Sequence, residues 1–187
     1  MKKLLIVLLL LLPLSACSKK EDVPVPEYTY QIVSDKVDMS GYEGVSSTAH
    51  NFRIIKVAEL FNTIDKKSSG IFYLGRHNCG CCQKVCRYID EVAKELDVTV
   101  YYIDVYNPDD PLTEKEVQDK LYDYLYEILG TSEDGEKTLL TPQVFSVVNG
   151  EFYGSQICYD NYSLDSDSKI EQFKDSYRKL MRPFAEK

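Results

Sequence analysis

The sequence predicts an α/β domain: a mixed central sheet flanked by helices and finished by a C-terminal β-hairpin and helix. Three observations carry that expectation. An apolar run at Ile71 to Leu74, a helical apolar stripe from Cys82 to Leu96 and a β-branched, aromatic run at Val98 to Val105 make a βαβ unit. Such a unit places its two strands parallel, with a right-handed crossover. Asn149-Gly150 between two apolar runs marks a hairpin, because that dipeptide favours a type I′ turn. Ile170, Phe173, Tyr177, Leu180 and Phe184 then recur at helical spacing.

The elements follow in order. Residues from about Tyr28 to Asn51 show no sustained period and read as an irregular lead-in. Arg53 to Val57 is a short strand and Ala58 to Lys66 a helix, with Leu60, Phe61 and Ile64 on one face. Ser68, Ser69 and Gly70 break that helix before the strand at Ile71. In the βαβ helix, Cys82, Val85, Ile89, Val92, Ala93 and Leu96 form the buried stripe, with Cys86 at its edge. Val117, Leu121, Leu125, Ile128 and Leu129 mark a further helix, ended by Gly130. Tyr122, Tyr124 and Tyr126 alternate there, so one or two of them face solvent. Val144 to Val148 and Glu151 to Ile157 are the hairpin strands, and Ser168 with Glu171 forms a capping box for the last helix. His50 is expected at the surface, and Asp109, Asp110, Glu114 and Glu116 in a solvated loop and helix start. The stretch Asp160 to Asp167 lacks the glycine and bidentate glutamate of an EF-hand.

The N-terminus reads as an address. Lys2 and Lys3 precede the apolar run Leu4 to Leu12, which is shorter than the roughly 20 residues that span a bilayer. Leu14-Ser15-Ala16-Cys17 resembles the lipobox of bacterial lipoproteins. That resemblance implies cleavage after residue 16 and diacylation, palmitate included, at Cys17, and two chains anchor stably where one does not. The chain then divides into a signal peptide (1–16), a lipid-anchored tether and lead-in (17–45) and a folded domain (46–187). Within the tether, Ser18 to Glu27 is polar and interrupted by Pro24 and Pro26. The expected location is the extracytoplasmic face of the cell membrane.

The chain carries 22 basic and 30 acidic residues, and loss of Lys2 and Lys3 widens the imbalance. A strongly acidic domain disfavours nucleic acid and anionic membrane surfaces as partners. No cofactor motif is present. Six cysteines are; beyond Cys17 they are Cys79, Cys81, Cys82, Cys86 and Cys158, an odd number, and export makes redox chemistry available to them.

Cys79-Gly80-Cys81-Cys82 lies where the Ile71 strand gives way to its helix. There the first thiol, Cys79, meets unpaired N–H groups and the positive end of the helix dipole, which stabilise a thiolate. Cys82, on the apolar stripe, is shielded as a resolving thiol should be. His77 is a nearby candidate to tune Cys79. The strand, the run from Gly75 to Cys82, the helix, the next strand, then Thr141-Pro142 before an Asn-Gly hairpin, resemble the thioredoxin superfamily over roughly residues 53 to 184. Tyr73-Leu74-Gly75-Arg76 is similar to bacteriocin-transport accessory proteins of Gram-positive bacteria. The resemblance implies a cis bond before Pro142 and a groove, framed by Thr141 and Pro142, in which a substrate chain docks. It also implies thiol–disulfide exchange with exported proteins, with a redox partner protein. Three departures accompany it: Asn78 where thioredoxin has tryptophan, Gly80-Cys81 where it has Gly-Pro, and Tyr73 where it has a buried acid. The segment from Asn107 to Lys137 is also longer.

Other readings stay open on the sequence alone. Cys79 and Cys82 could form a structural disulfide in a non-catalytic accessory module of a secretion or bacteriocin-export system. The pattern of His77, Cys79, Cys81, Cys82 and Cys86 also suits Cu(I) or Zn²⁺ chemically, although its ligands crowd one helical turn where zinc sites use separated pairs. The anchoring expectation is checked by Cys17→Ser, which should abolish labelling by a fatty-acid analogue and release the chain or leave its precursor; labelling that survives contradicts it.

Overall fold

The computed structural model describes residues 28–34, 37–107, 112, 114–158 and 163–185. The signal peptide, Cys17, the tether at 18–27, Asp109, Asp110 and Asp160 lie outside the described residues. No helix among the described residues is long and apolar enough to cross a membrane.

The strands are β1 (Ile32–Ser34), β2 (Phe52–Ile55), β3 (Gly70–Gly75), β4 (Val100–Asp104), β5 (Gly130–Thr131), β6 (Lys137–Thr138), β7 (Gln143–Val148) and β8 (Glu151–Ile157). The helices are α1 (Val57–Asp65), α2 (Gly80–Glu95), α3 (Lys115–Leu125) and α4 (Asp167–Met181). Six strands form one sheet in the order β1-β2-β4-β3-β7-β8. β2, β4 and β3 run parallel, whereas β7 is antiparallel to β3 and β8 to β7. This is the expected mixed sheet with an antiparallel C-terminal hairpin. β1, antiparallel to β2, and the small β5-β6 pair add to what the sequence pattern predicts.

Alternation along β3 sorts the core into two layers. Ile71 and Tyr73 point to one face, where they meet Val85, Ile89 and Val92 of α2 and Phe173, Tyr177 and Met181 of α4. Phe72 and Leu74 point to the other, against Leu60 of α1 and Leu121 and Leu125 of α3. Every residue of β3 is buried, as a central strand covered on both faces requires. At the α2–α4 surface Lys174 pairs with Glu91 at 3.1 Å and Arg178 with Glu95 at 2.8 Å.

The packed body also takes in part of the lead-in. Val37, Met39 and Tyr42 are buried in the α2–α4 layer, ahead of the expected boundary at 46, and the Tyr42 hydroxyl bonds that of Tyr102 at 3.0 Å. No periodicity marks these residues, because they pack as an irregular strap rather than as an element. His50 is likewise buried, not at the surface: its Nδ1 accepts the Phe52 N–H at 3.3 Å. The next residue fastens the end of α2, since Asn51 Nδ2 donates to the Ala93 and Val98 carbonyls at 3.2 and 3.0 Å.

The hairpin turn has the expected left-handed residues, Asn149 at φ 55° and Gly150 at φ 82°. A Cβ at Gly150 would sit 2.7 Å from the Ile64 carbonyl oxygen, so glycine is required both for the turn and for its close approach to α1. α4 starts two residues earlier than the capping box implied. Ser166 is its N-cap, accepting the Lys169 N–H at 3.4 Å, and Ser168 lies inside the first turn. Thermal or urea unfolding should therefore show a loss of about 1 kcal/mol for Ser166→Ala and much less for Ser168→Ala; the reverse ranking would restore the box at Ser168.

Candidate functional site

β3 ends at Gly75, the chain turns through Arg76, His77 and Asn78, and α2 begins after Cys79. Cys79 is the N-cap of α2: its backbone is extended and its sulfur accepts the Cys82 N–H at 3.3 Å. The sequence supplies this cap unconventionally, with a thiol where serine or aspartate is usual. On the other side of the sulfur stands the segment before β7. The Cys79 thiol donates to the Thr141 carbonyl at 3.5 Å, and the Thr141 hydroxyl donates to the Cys79 sulfur at 3.8 Å. The Thr141–Pro142 bond is cis, as the resemblance implies. The Pro142 carbonyl accepts the Cys158 N–H at 3.2 Å, which seats the last of the cysteines behind the same loop.

The two thiols of the pair are electrostatically unlike. Burial pushes the Cys79 thiol up, but hydrogen bonds from the Cys82 thiol and backbone N–H, from Thr141 and from Arg76 outweigh it, and the net shift is downward. Burial and the neighbouring Cys79 push the Cys82 thiol up to about 12. Negative charge therefore collects on Cys79, the condition for a nucleophilic thiolate beside a thiol that keeps its proton.

The structure brings Cys79, Cys82, Thr141 and Pro142 together. Cys79 is less open than the sequence suggests: 8% of its surface is accessible, because Thr141 covers it. What remains faces a cavity of about 580 Å³ lined by Arg76, Tyr106, Leu112, Tyr122, Leu140 and Thr141, among others. The long segment after β4 supplies one wall of that cavity. His77 does not join the site. Its side chain is exposed, and its carbonyl accepts from Gln83 Nε2 at 2.8 Å. Arg76 takes the role expected of His77: the guanidinium packs on the Tyr106 ring, 4.8 Å from its centroid, and lowers the Cys79 pKa. No motif singles out Arg76; position at the end of a buried strand was the available signal.

Cys82, Cys86, Cys81 and Cys158 are buried in the α2–α4 layer, and the five described cysteines are all thiols. Among the described residues, no three histidine, cysteine, aspartate or glutamate side chains converge as a metal site. The exposed tyrosines of the α3 region are Tyr122 and Tyr126, while Tyr124 packs against Phe61 and donates to Asp65.

No family model and no curated protein matches the chain. Among solved structures it is similar to oxidized thioredoxin O2 from Arabidopsis thaliana, at 15% identity over 73% of this chain and 96% of that one, with a TM-score of 0.43. It is similar also to thioredoxin from Trypanosoma brucei brucei, at 12% identity over 74% and 98% of the two chains, with a TM-score of 0.44. A third, thioredoxin from Plasmodium falciparum, shares 16% identity over 66% and 97%, with a TM-score of 0.39. The chain has the thioredoxin-like fold: parallel β2, β4 and β3, antiparallel β7 and β8, helices on both faces, and a C-x-x-C pair opening α2 against a cis-proline.

The electrostatic asymmetry is open to direct titration. Alkylation of Cys79 should stay fast as pH falls, until it passes through the lowered thiol pKa. In Arg76→Gln the decline should begin at higher pH, slowing alkylation at about pH 6 several-fold, since the thiolate fraction sets the rate. His77→Gln should leave the profile in place; a larger effect there than at Arg76 would return the tuning role to His77.

Proposed function

We propose that the chain is a membrane-anchored thiol–disulfide oxidoreductase of the extracytoplasmic face, held by lipid at Cys17 and acting on thiols or disulfides of exported proteins. The observation that carries this reading is the sulfur of Cys79: bonded by the Cys82 N–H at the start of α2, lowered in pKa, and set between Thr141 and the cavity. In the reducing direction, the Cys79 thiolate attacks one sulfur of a substrate disulfide, and the other leaves as a thiol. Cys82 then gives up its proton and attacks Cys79. The substrate's second sulfur leaves and takes a proton, so the pair is oxidised by two electrons and the substrate reduced. The reverse sequence oxidises a substrate dithiol. The potential of the pair against its partners sets which way it runs, and a redox partner protein returns it to its starting state. Thr141 and Pro142 frame the groove in which the substrate chain lies.

A second reading is a non-catalytic accessory module of a secretion or bacteriocin-export system. It is favoured by the low accessibility of Cys79 and by the exposed Tyr106, Tyr122 and Tyr126.

Trapping separates the two. Cys82→Ser should accumulate mixed disulfides between Cys79 and exported proteins, resolved on non-reducing gels, while Cys79→Ser should trap far fewer. If Cys82→Ser traps nothing and the purified chain exchanges with no model disulfide or dithiol, the accessory reading replaces the enzyme.

A further inference from the structure

Resting on that exchange reading, we propose that Tyr73 helps Cys82 to carry negative charge: its buried hydroxyl donates a hydrogen bond to the Cys82 sulfur as that sulfur ionises for the resolving step, and again in its reverse. Tyr73 is central in β3 and has no accessible surface. Its ring is held between Phe52 and Tyr102, with centroids 5.8 and 5.2 Å away. Its tip lies over Gly75, where a Cβ would stand 2.6 Å from Cζ and 2.8 Å from the hydroxyl oxygen. Any other residue at 75 would displace that hydroxyl. The strand therefore holds the group in one place, at the end nearest the thiols.

The hydroxyl is buried without a well-formed hydrogen bond. That is costly, and a buried polar atom without a partner calls for a reason. Its aromatic neighbours do not supply one, because Tyr42 and Tyr102 bond each other at 3.0 Å. The remaining titratable groups that bear on it are Cys82 and Cys86 of α2, and Tyr73 lowers the thiol pKa of both. A neutral thiol is a weak acceptor and a thiolate a strong one. The donor is thus poorly engaged while Cys82 is protonated and well engaged once it ionises. In the resolving step such a donor raises the fraction of Cys82 present as the attacking thiolate, and in the reverse step it stands where charge develops on Cys82 as that sulfur leaves. Burial pushes the Cys86 thiol well above its usual range, with Cys82 and Asp90 adding to it; Cys86 also lies outside the C-x-x-C pair, so in exchange the charge forms on Cys82. Asp104 acts on Tyr42 and Tyr102. The Arg76 backbone supplies a second donor to Cys82. Tyr73 keeps its own proton throughout. The proton of Cys82 leaves with the departing substrate sulfur, and the Cys79–substrate bond breaks as the Cys79–Cys82 bond forms.

The test isolates that step in the full chain. Thionitrobenzoate is placed on Cys79 as a mixed disulfide, and its release by Cys82 is followed by absorbance across pH. Tyr73→Phe should move the pH profile up by about one unit and slow release at neutral pH about threefold, because the loss of thiolate is partly offset by the greater nucleophilicity of the more basic sulfur. Formation of the mixed disulfide by Cys79 should keep its rate. Fluorotyrosine at position 73, a more acidic donor, should move the profile the other way and covers the case in which Tyr73→Phe does not fold. Release by Tyr73→Phe at the unaltered rate and pH dependence, or a profile unmoved by fluorotyrosine, overturns the role of Tyr73 while leaving the exchange reading intact. Absence of release from the unsubstituted chain overturns both.

Discussion

The bond from the Cys82 N–H to the Cys79 sulfur fastens chemistry to fold. It exists because a short turn, Arg76 to Asn78, carries the chain from the end of buried β3 to Cys79, which caps α2. The first N–H groups of a helix have no intrahelical partners, and their partial positive charge falls on whatever occupies the cap. With a thiol there, the same interaction that starts the helix lowers the thiol's pKa. Thr141 closes the arrangement from the segment before β7 and hides most of the sulfur.

Holding a sulfur to such tolerances needs a rigid support, and the sheet supplies it. β3 is paired on both edges and covered on both faces, by α2 and α4 on one side and α1 and α3 on the other. α2 is fixed at its far end as well: Asn51 satisfies the Ala93 and Val98 carbonyls, and Asp90 accepts the Asn51 N–H at 2.9 Å. The C-terminal end of α2 is thereby tied to the segments that lead into β2 and β4, and its N-terminal end to Thr141 through Cys79. The exposed ion pairs to α4 add little by comparison, because solvent screens them.

Much of this was legible before the structure, and the reasons are physical. The βαβ unit, the Asn-Gly turn and the α4 stripe are local patterns, in which side-chain period reports directly which face is buried. The Cys79–Cys82 spacing and Thr141-Pro142 were likewise visible as short motifs. What escaped notice depends on contacts distant in sequence. Val37, Met39 and Tyr42 are core without belonging to any periodic element, and His50 is buried by partners that no local pattern names. The capping box pointed to Ser168 because Glu171 follows at the right interval, yet the backbone turns at Ser166. At the site, His77 was the natural candidate by chemistry, but its side chain is exposed, whereas Arg76, just past the end of β3 and ordinary in sequence, hydrogen-bonds the Cys79 sulfur.

The central claim is that Cys79 and Cys82 form one redox couple within a domain whose other thiols are spectators. Equilibration of the purified chain in glutathione buffers of graded potential, with each cysteine then assigned by mass spectrometry after differential alkylation, tests it most directly. The account predicts a single two-electron transition in which Cys79 and Cys82 gain and lose their bond together, with Cys81, Cys86 and Cys158 alkylated as thiols on both sides of it. A transition that pairs Cys82 with Cys86, or one in which Cys79 never leaves the thiol pool, would contradict it.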